Sequence, residues 1–397
     1  MAFLSDLLVN LWNWIAVQLD QFLPSWATAL VMLFAAAVVI VVFLLLTVMF
    51  LTLLERKVVA RIADRIGPNR VGPFGLLQPI ADTLKLIIKE NTEPAKADHP
   101  VFRLAPAVVA TAALMPYAVI PFGRGMVGSD VNIGVLYVIS ISSLTVIAVL
   151  MAGWGGGNKY GVLGGMRAVA QMFSFEVPLA LSIGSVALLT GSLSLVAITE
   201  AQRKLWLIVA QPIAFLVYLL CGAAEANRAP FDIPEAESEL VAGYHVEYSG
   251  VRFAFFYMAE YINMFTTSAM ATILFLGGWQ GPFVERVPIL SIAYFLAKVY
   301  GLVFLMIWVR ATFPRLRIDQ LLDLSWKVLL PLALMNLLVT AVVDKVAAQV
   351  RLSSTLTIGV FWGSNLVLVG VVALVLYLSY RRKRARGLNP HYQIHWH

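Results

Sequence analysis

The chain has 397 residues, 60% of them hydrophobic and 13% charged, with a mean hydropathy of +0.84 and a formal net charge of +7. A soluble domain has too little interior to bury that much apolar side chain, so the solvent around this chain must be largely lipid. The single cysteine, Cys221, excludes an internal disulfide and an iron–sulfur cluster held by this chain alone, because such clusters normally take four Cys ligands. Any electron carrier therefore sits on a partner.

The first segment, 1–23, lacks the basic start and small-residue cleavage site of a signal peptide. Asp6, Asn10 and Asn13 share one helical face, which predicts an interfacial amphipathic helix, with a frayed terminus as the competing reading. Beyond it, apolar runs long enough to cross a bilayer recur throughout. They predict an all-α integral membrane protein of about nine transmembrane helices plus amphipathic surface helices. The spans fall near 28–54, 101–122, 133–154, 173–193, 203–224, 252–276, 288–310, 327–348 and 356–379. A β-barrel is excluded by the lack of short alternating strands, and backbone groups in hydrocarbon leave a helical bundle as the alternative. The whole chain reads as one polytopic membrane domain, with a core over 28–348, an extra helix at 356–379 and a basic tail at 380–397.

Basic residues orient it. The segments 55–103, 155–172, 225–252, 310–327 and 380–397 hold 22 Lys and Arg, and the opposite side holds six. The positive-inside rule then puts the N-terminus on the periplasmic side and the tail in the cytoplasm. The tail motif RRKRAR is an ordinary topogenic and anionic-lipid signal, not a nucleic-acid patch. His391, His395 and His397 could hold a metal, but three unanchored histidines at a frayed end are more often incidental. No internal repeat, P-loop or dinucleotide fingerprint is present, and the glycine cluster GWGGGNKYGVLGG reads as a tight turn between two spans.

Two connecting segments carry chemistry. In GLLQPIADTLKLIIKE, residues Leu76, Leu77, Ile80, Leu84, Ile87 and Ile88 form one apolar stripe, as in a helix lying on the membrane surface that can carry a partner or simply contact lipid. RIGPNRVGPFG before it forces tight turns, which suggests a shaped opening. After the fifth span, Glu225, Asp232, Glu235, Glu237, Glu239 and Glu247 surround one internal base, Arg228. Asp232 and Glu235 have capping-box spacing, which explains those two alone.

Ionisable residues also enter the spans. Glu176 opens the fourth, Glu225 closes the fifth, Glu260 lies about two turns into the sixth, and Lys298 is midway through the seventh. Such a group costs at least ~2.5–3.5 kcal/mol at a helix centre and usually faces a protein interior. Snorkelling is the competing reading for Glu176 and Glu225. Burial and neighbouring carboxylates raise a carboxyl pKa while a nearby Arg lowers it, so a line of these groups can exchange protons near neutral pH. The physical picture is a cytoplasm-facing acidic chamber joined to buried protonatable sites.

The motifs ERKVVARIADRIGPNRVGPFGLLQPIADTLKLIIKE, NKYGVLGGMRAVAQMFSFEVP, NRAPFDIPEAESELVAGYHVEYSG, AEYI, GGWQGP and VRATFPRLRIDQLL follow one another from residue 54 to about 350. In this order they resemble the quinone-binding membrane subunit of respiratory complex I, the proton-translocating NADH:quinone oxidoreductase. The resemblance implies a subunit without covalent catalysis. Its substrate is a quinone, ubiquinone or menaquinone, reduced by iron–sulfur clusters of a peripheral arm. The implied partners are the arm's quinone-site subunits, small membrane subunits and antiporter-like subunits, in a bacterial inner membrane. Carried over by motif, Glu55, Arg56 and Arg65 border the quinone entrance, with Arg228 as counter-charge to the acidic loop. Glu235, Glu237 and Glu239 lie in that loop, and Glu176, Glu225 and Glu260 continue a proton path. Arg310, Arg315 and Arg317 are supporting bases expected to face the chamber.

Three positions depart from that family. Ala63 replaces a common Gln, Phe175 replaces a common Tyr, and no carboxylate stands near Ser143, which implies a shorter or water-bridged acidic path. Competing readings are the equivalent subunit of a related membrane-bound dehydrogenase or hydrogenase, a stand-alone ion transporter, and a passive anchor.

Overall fold

The computed structural model describes residues 7–228, 230–232, 242–285, 287–350 and 359–370, with Tyr377 and Arg381. Among them the only non-helical pairing is an isolated bridge between Gly123 and Met126, and the rest is helix and connecting loop. Six helical stretches are long and apolar enough to cross a bilayer: Ser25–Ile62, His99–Ala118, Gly134–Gly155, Lys159–Thr190, Leu290–Thr312 and Ile318–Ala347. Two shorter apolar helices are Pro212–Glu225 and Gly359–Gly370.

In chain order, α1 (Leu7–Asp20) leads into α2 (Ser25–Ile62), whose most apolar stretch is only 11% buried. That exposure of apolar surface suits lipid, not water. The surface helix α3 (Gln78–Ile88) keeps Ile80, Leu84, Ile87 and Ile88 exposed, and Leu76 and Leu77, just before it, are exposed as well. Then come α4 (His99–Leu114), α5 (Gly134–Gly155) and α6 (Lys159–Thr190).

The glycine cluster does more than turn. Only its middle forms the turn, and α6 starts at Lys159, well before the predicted 173. A Cβ on Gly153 would stand 2.7 Å from the Gly161 carbonyl oxygen, so α5 and α6 touch backbone to backbone where small residues recur. One consequence is that Glu176 lies in the middle of α6 instead of opening it.

Pro178 cannot donate to the carbonyl of Ser174 one turn earlier. Ser325 supplies the missing donor at 2.5 Å, and the Trp326 indole N–H donates to the Ser174 hydroxyl at 3.1 Å. Both come from a π-helical turn, Ser325–Leu329, joining α12 (Ile318–Leu324) to α13 (Leu330–Val350), so each helix's irregularity completes the other.

Between α6 and the centre lie three further helices: α7 (Leu195–Ala201), α8 (Leu207–Ala210) and α9 (Pro212–Glu225). The predicted 203–224 span is broken at Gln211. The Gln211 side chain reaches Thr340 at 2.8 Å and accepts from Asn336 at 3.0 Å, tying the break to α13. Residue Asn365 of α14 (Gly359–Gly370) donates to the Ala210 carbonyl at 3.3 Å.

At the centre is α10 (Gly250–Phe275), where 16 of 26 residues are buried. It is about 39 Å long, enough to span, yet it is not among the six apolar stretches. Helices around it shield it from lipid, so its inner faces carry polar groups that a lipid-facing helix could not. Helix α11 (Leu290–Thr312) packs beside it.

Candidate functional site

The site assembles where α2 ends. Glu55 and Arg56 lie on α2 itself, which runs to Ile62, and not in the loop after it. Glu55 is buried, with its carboxylate between two guanidinium groups: Arg228 at 3.3 Å and Arg310 on its other oxygen. Arg228 is itself buried and lies over the Tyr261 ring at 4.1 Å from the centroid. Tyr261 and Tyr257 share a hydroxyl–hydroxyl bond of 3.0 Å, and the Tyr244 hydroxyl reaches the Glu260 carboxylate at 3.5 Å. Two cations on one buried carboxylate satisfy the pairing that removal from water demands.

Glu55, Arg228, Arg310, Tyr257, Tyr261 and Glu260 line a cavity of about 450 Å³ together with the 65–68 segment. Its wall unites Glu55, Arg56, Arg65, Arg228, Glu260 and Arg310, six of the residues singled out in the sequence. Arg315 pairs with the buried Asp232 at 3.3 Å, and the Leu316 amide donates to the Pro230 carbonyl at 3.2 Å. The expected approach of the basic 310–317 segment to the acidic loop is therefore present. Arg317 is exposed at the start of α12, and neither it nor Arg315 lines the cavity. Glu235, Glu237 and Glu239 lie outside the described residues, as do His391, His395 and His397.

Two small cavities share Glu225, and one of them also touches Glu260. One of about 10 Å³ is bordered by Glu260 and Glu225, and one of about 40 Å³ by Glu225, Ser142, Tyr218 and Thr266. Glu225 also lies close enough to half-buried Glu176 for their charges to interact. Ser142, not Ser143, faces this cavity, and the Ser143 hydroxyl donates within its own helix to the Ser140 carbonyl at 2.9 Å. Phe175 is fully buried against Phe231, ring centroids 5.7 Å apart.

Sequence reasoning missed several members. Gln171, fully buried, donates to the Ala224 carbonyl at 2.8 Å and the Phe231 carbonyl at 2.7 Å, clamping the turn that carries Arg228. Asn227 in that turn has φ 50°, a left-handed conformation that Asn tolerates better than most residues. A polar residue in an otherwise apolar helix was the available signal for Gln171. A second missed cluster fixes the loop after α3: Glu93 accepts from Arg103 at 3.0 Å, Arg252 at 2.5 Å and His99 at 2.9 Å. The Arg103 guanidinium, then Arg252, hold the Glu93 carboxyl down at about 2. At Asp82 of α3, partial burial pushes the carboxyl up, but bonds from Arg56 at 2.6 Å and Gln78 at 3.2 Å more than offset it and leave it below the usual range.

Lys298 has a quieter role than its position suggested. Its ammonium donates to the carbonyls of Leu276, Gly278 and Gln280 at 2.7, 3.0 and 2.7 Å, and lies 4.4 Å from the Trp206 ring centroid. It fastens a loop.

Helices apolar enough to cross a bilayer, joined by a cavity with a buried charge pair in its wall, define a multi-pass helical membrane protein. The sequence profile of the family described as NADH dehydrogenase matches residues 35–341. A protein of Anoxybacillus flavithermus, named as a subunit of NADH-quinone oxidoreductase, is 51% identical over 330 residues, covering 83% of this chain and 98% of the relative. Proteins of the same name are 53% identical over 293 residues in Geobacillus kaustophilus (73% of this chain, 87% of the relative) and 48% identical over 329 residues in Dehalococcoides mccartyi (83% and 90%). The chain belongs to the NADH dehydrogenase family.

Proposed function

We propose that this chain is the quinone-site membrane subunit of a proton-translocating NADH:quinone oxidoreductase in a bacterial inner membrane. It spans the bilayer nine times, with the N-terminus periplasmic and the C-terminus cytoplasmic. The spans missing from the six apolar stretches are α10, the broken α8–α9 pair and α14. The cavity at the end of α2 receives the quinone, with Arg56, Arg65, Arg228 and Glu55 at its wall and the peripheral-arm subunits completing it. Arg310 and Arg315 hold the wall in shape, and Arg317 stands at its outer edge. Electrons come from iron–sulfur clusters on those partners, and this chain contributes no redox centre.

The reading rests on one observation: Glu260 borders both the large cavity and the small one shared with Glu225. Charge change at the quinone therefore has a short physical route to a carboxylate inside the spans. In a low-dielectric setting, a change of one charge in the Glu55–Arg228–Arg310 group alters the energy of a proton on Glu260 and then on Glu225. Glu176, and the loop carboxylates Glu235, Glu237 and Glu239, extend the path at its two ends. The antiporter-like partners take the signal from there.

The test is the whole complex in proteoliposomes. Glu225→Gln should cut NADH-driven proton translocation at least tenfold with the complex assembled. Wild-type quinone reduction together with a wild-type gradient would overturn the proton path and favour a passive anchor. Transport by the isolated chain would favour the stand-alone transporter, and electron delivery from a donor other than NADH would favour a related dehydrogenase or hydrogenase.

A further inference from the structure

We propose that Asn263 is a positioning residue that holds the water bridge between Glu260 and Glu225. The proposal rests on the proton-path reading above and adds a member to it. Glu260 and Asn263 are three residues apart on α10, so their side chains share one helical face. Both border the cavity of about 10 Å³, together with Glu225, Asn227 and Tyr244. Asn263 also borders the neighbouring cavity of about 40 Å³, which shares Glu225 with the first. It thus stands at the junction of the two spaces, next to the carboxylate they share.

The sizes matter. About one probe sphere, ~10–15 Å³, is the least that holds a water molecule, and such a water needs two to four polar partners. The smaller cavity is at that limit and the larger has room for about three waters by the same measure. Carboxylates accept and, when protonated, donate once. An amide offers two donors and an acceptor at fixed spacing, so it can orient a water towards both carboxylates without taking up charge. The half-buried Asn263 side chain serves that geometry, and the third span contributes only hydroxyls here, Ser142 and Thr145. An amide that fixes the water compensates for the carboxylate absent from that span.

Two substitutions separate polarity from packing. Asn263→Leu keeps the branched shape and the number of heavy atoms, at a larger volume, and removes the amide, whereas Asn263→Ser keeps a polar group and gives up volume. In the assembled complex, with NADH oxidation by a hydrophilic acceptor that bypasses quinone as control, Asn263→Leu should lower coupled proton translocation about tenfold. Asn263→Ser should recover at least half. An active Leu variant, or two equally silent variants in assembled complex, overturns the role. Glu225→Gln, run alongside, separates the two claims: if it abolishes translocation while Asn263→Leu does not, the path stands and the bridge falls.

Discussion

Two charges on α11 sit in apolar surroundings in opposite ways. At its C-terminal end Arg310 meets buried Glu55, shared with Arg228, on the wall of a cavity of about 450 Å³. Nearer its middle, Lys298 commits its ammonium to three backbone carbonyls. The loop it holds is a closed staple: Gln202 donates to Ile273 at 2.7 Å and accepts from the Gly277 amide at 3.0 Å, and Gln280 donates to Thr199 at 2.7 Å. Gly278 lies there at φ 51°, where a Cβ would stand 2.7 Å from the Thr199 side chain. A charge inside a span is therefore no sign of function on its own. What matters is whether its partners are titratable side chains facing a cavity or fixed carbonyls in a loop.

This contrast can be broken by mutation. Glu55→Ala leaves two guanidinium groups beside a lost counter-charge, one of them buried, which costs about 3–5 kcal/mol. Native gels should show little assembled complex, and quinone reduction should disappear with it. Lys298→Met removes the donor for three carbonyls, a cost of about 1–3 kcal/mol for a buried polar group left unmatched. Thermal unfolding of the complex should begin earlier, while each assembled complex retains near wild-type quinone turnover. Loss of turnover at full assembly would erase the distinction between the two charges.

The smallest effect belongs to the Glu93 cluster, which solvent and salt screen. Its folded carboxyl, at about 2, is depressed below the ordinary value of 4.5. Its contribution is therefore present above pH ~4.5 and is lost as the pH falls from there through about 2. Hydrogen exchange at the Thr92 amide, which donates to Ser249 at 3.1 Å, should stay slow above pH 5 and rise relative to the intrinsic rate only in that acid window. Glu93→Gln should give the faster exchange at neutral pH.

Much of the architecture was legible because lipid imposes it. Helices α2 and α5 face hydrocarbon and so read as unbroken apolar runs. The predicted helix at 252–276 matches α10 at Gly250–Phe275 despite its polarity. The 173–193 boundary failed because the first turns of α6 are glycine-rich and pack backbone to backbone, which hydropathy does not register. The site was half legible. Motif resemblance singled out Glu55, Arg228 and Arg310, but their meeting depends on contacts 173 and 255 residues apart. The partners of Gln171 and of Glu93 were invisible for the same reason: a polar residue's partner is set by tertiary packing, not by its neighbours in sequence.

The central claim is that the cavity at the end of α2 is where quinone chemistry acts on this chain. The direct measurement is photolabelling of the intact complex with a light-activated quinone analogue, followed by peptide mapping. Label is expected in peptides carrying residues 55–68 and 257–261, competed away by excess quinone, with none near Lys298. Label confined to 276–298, or absent from this chain while present on its neighbours, would contradict the claim.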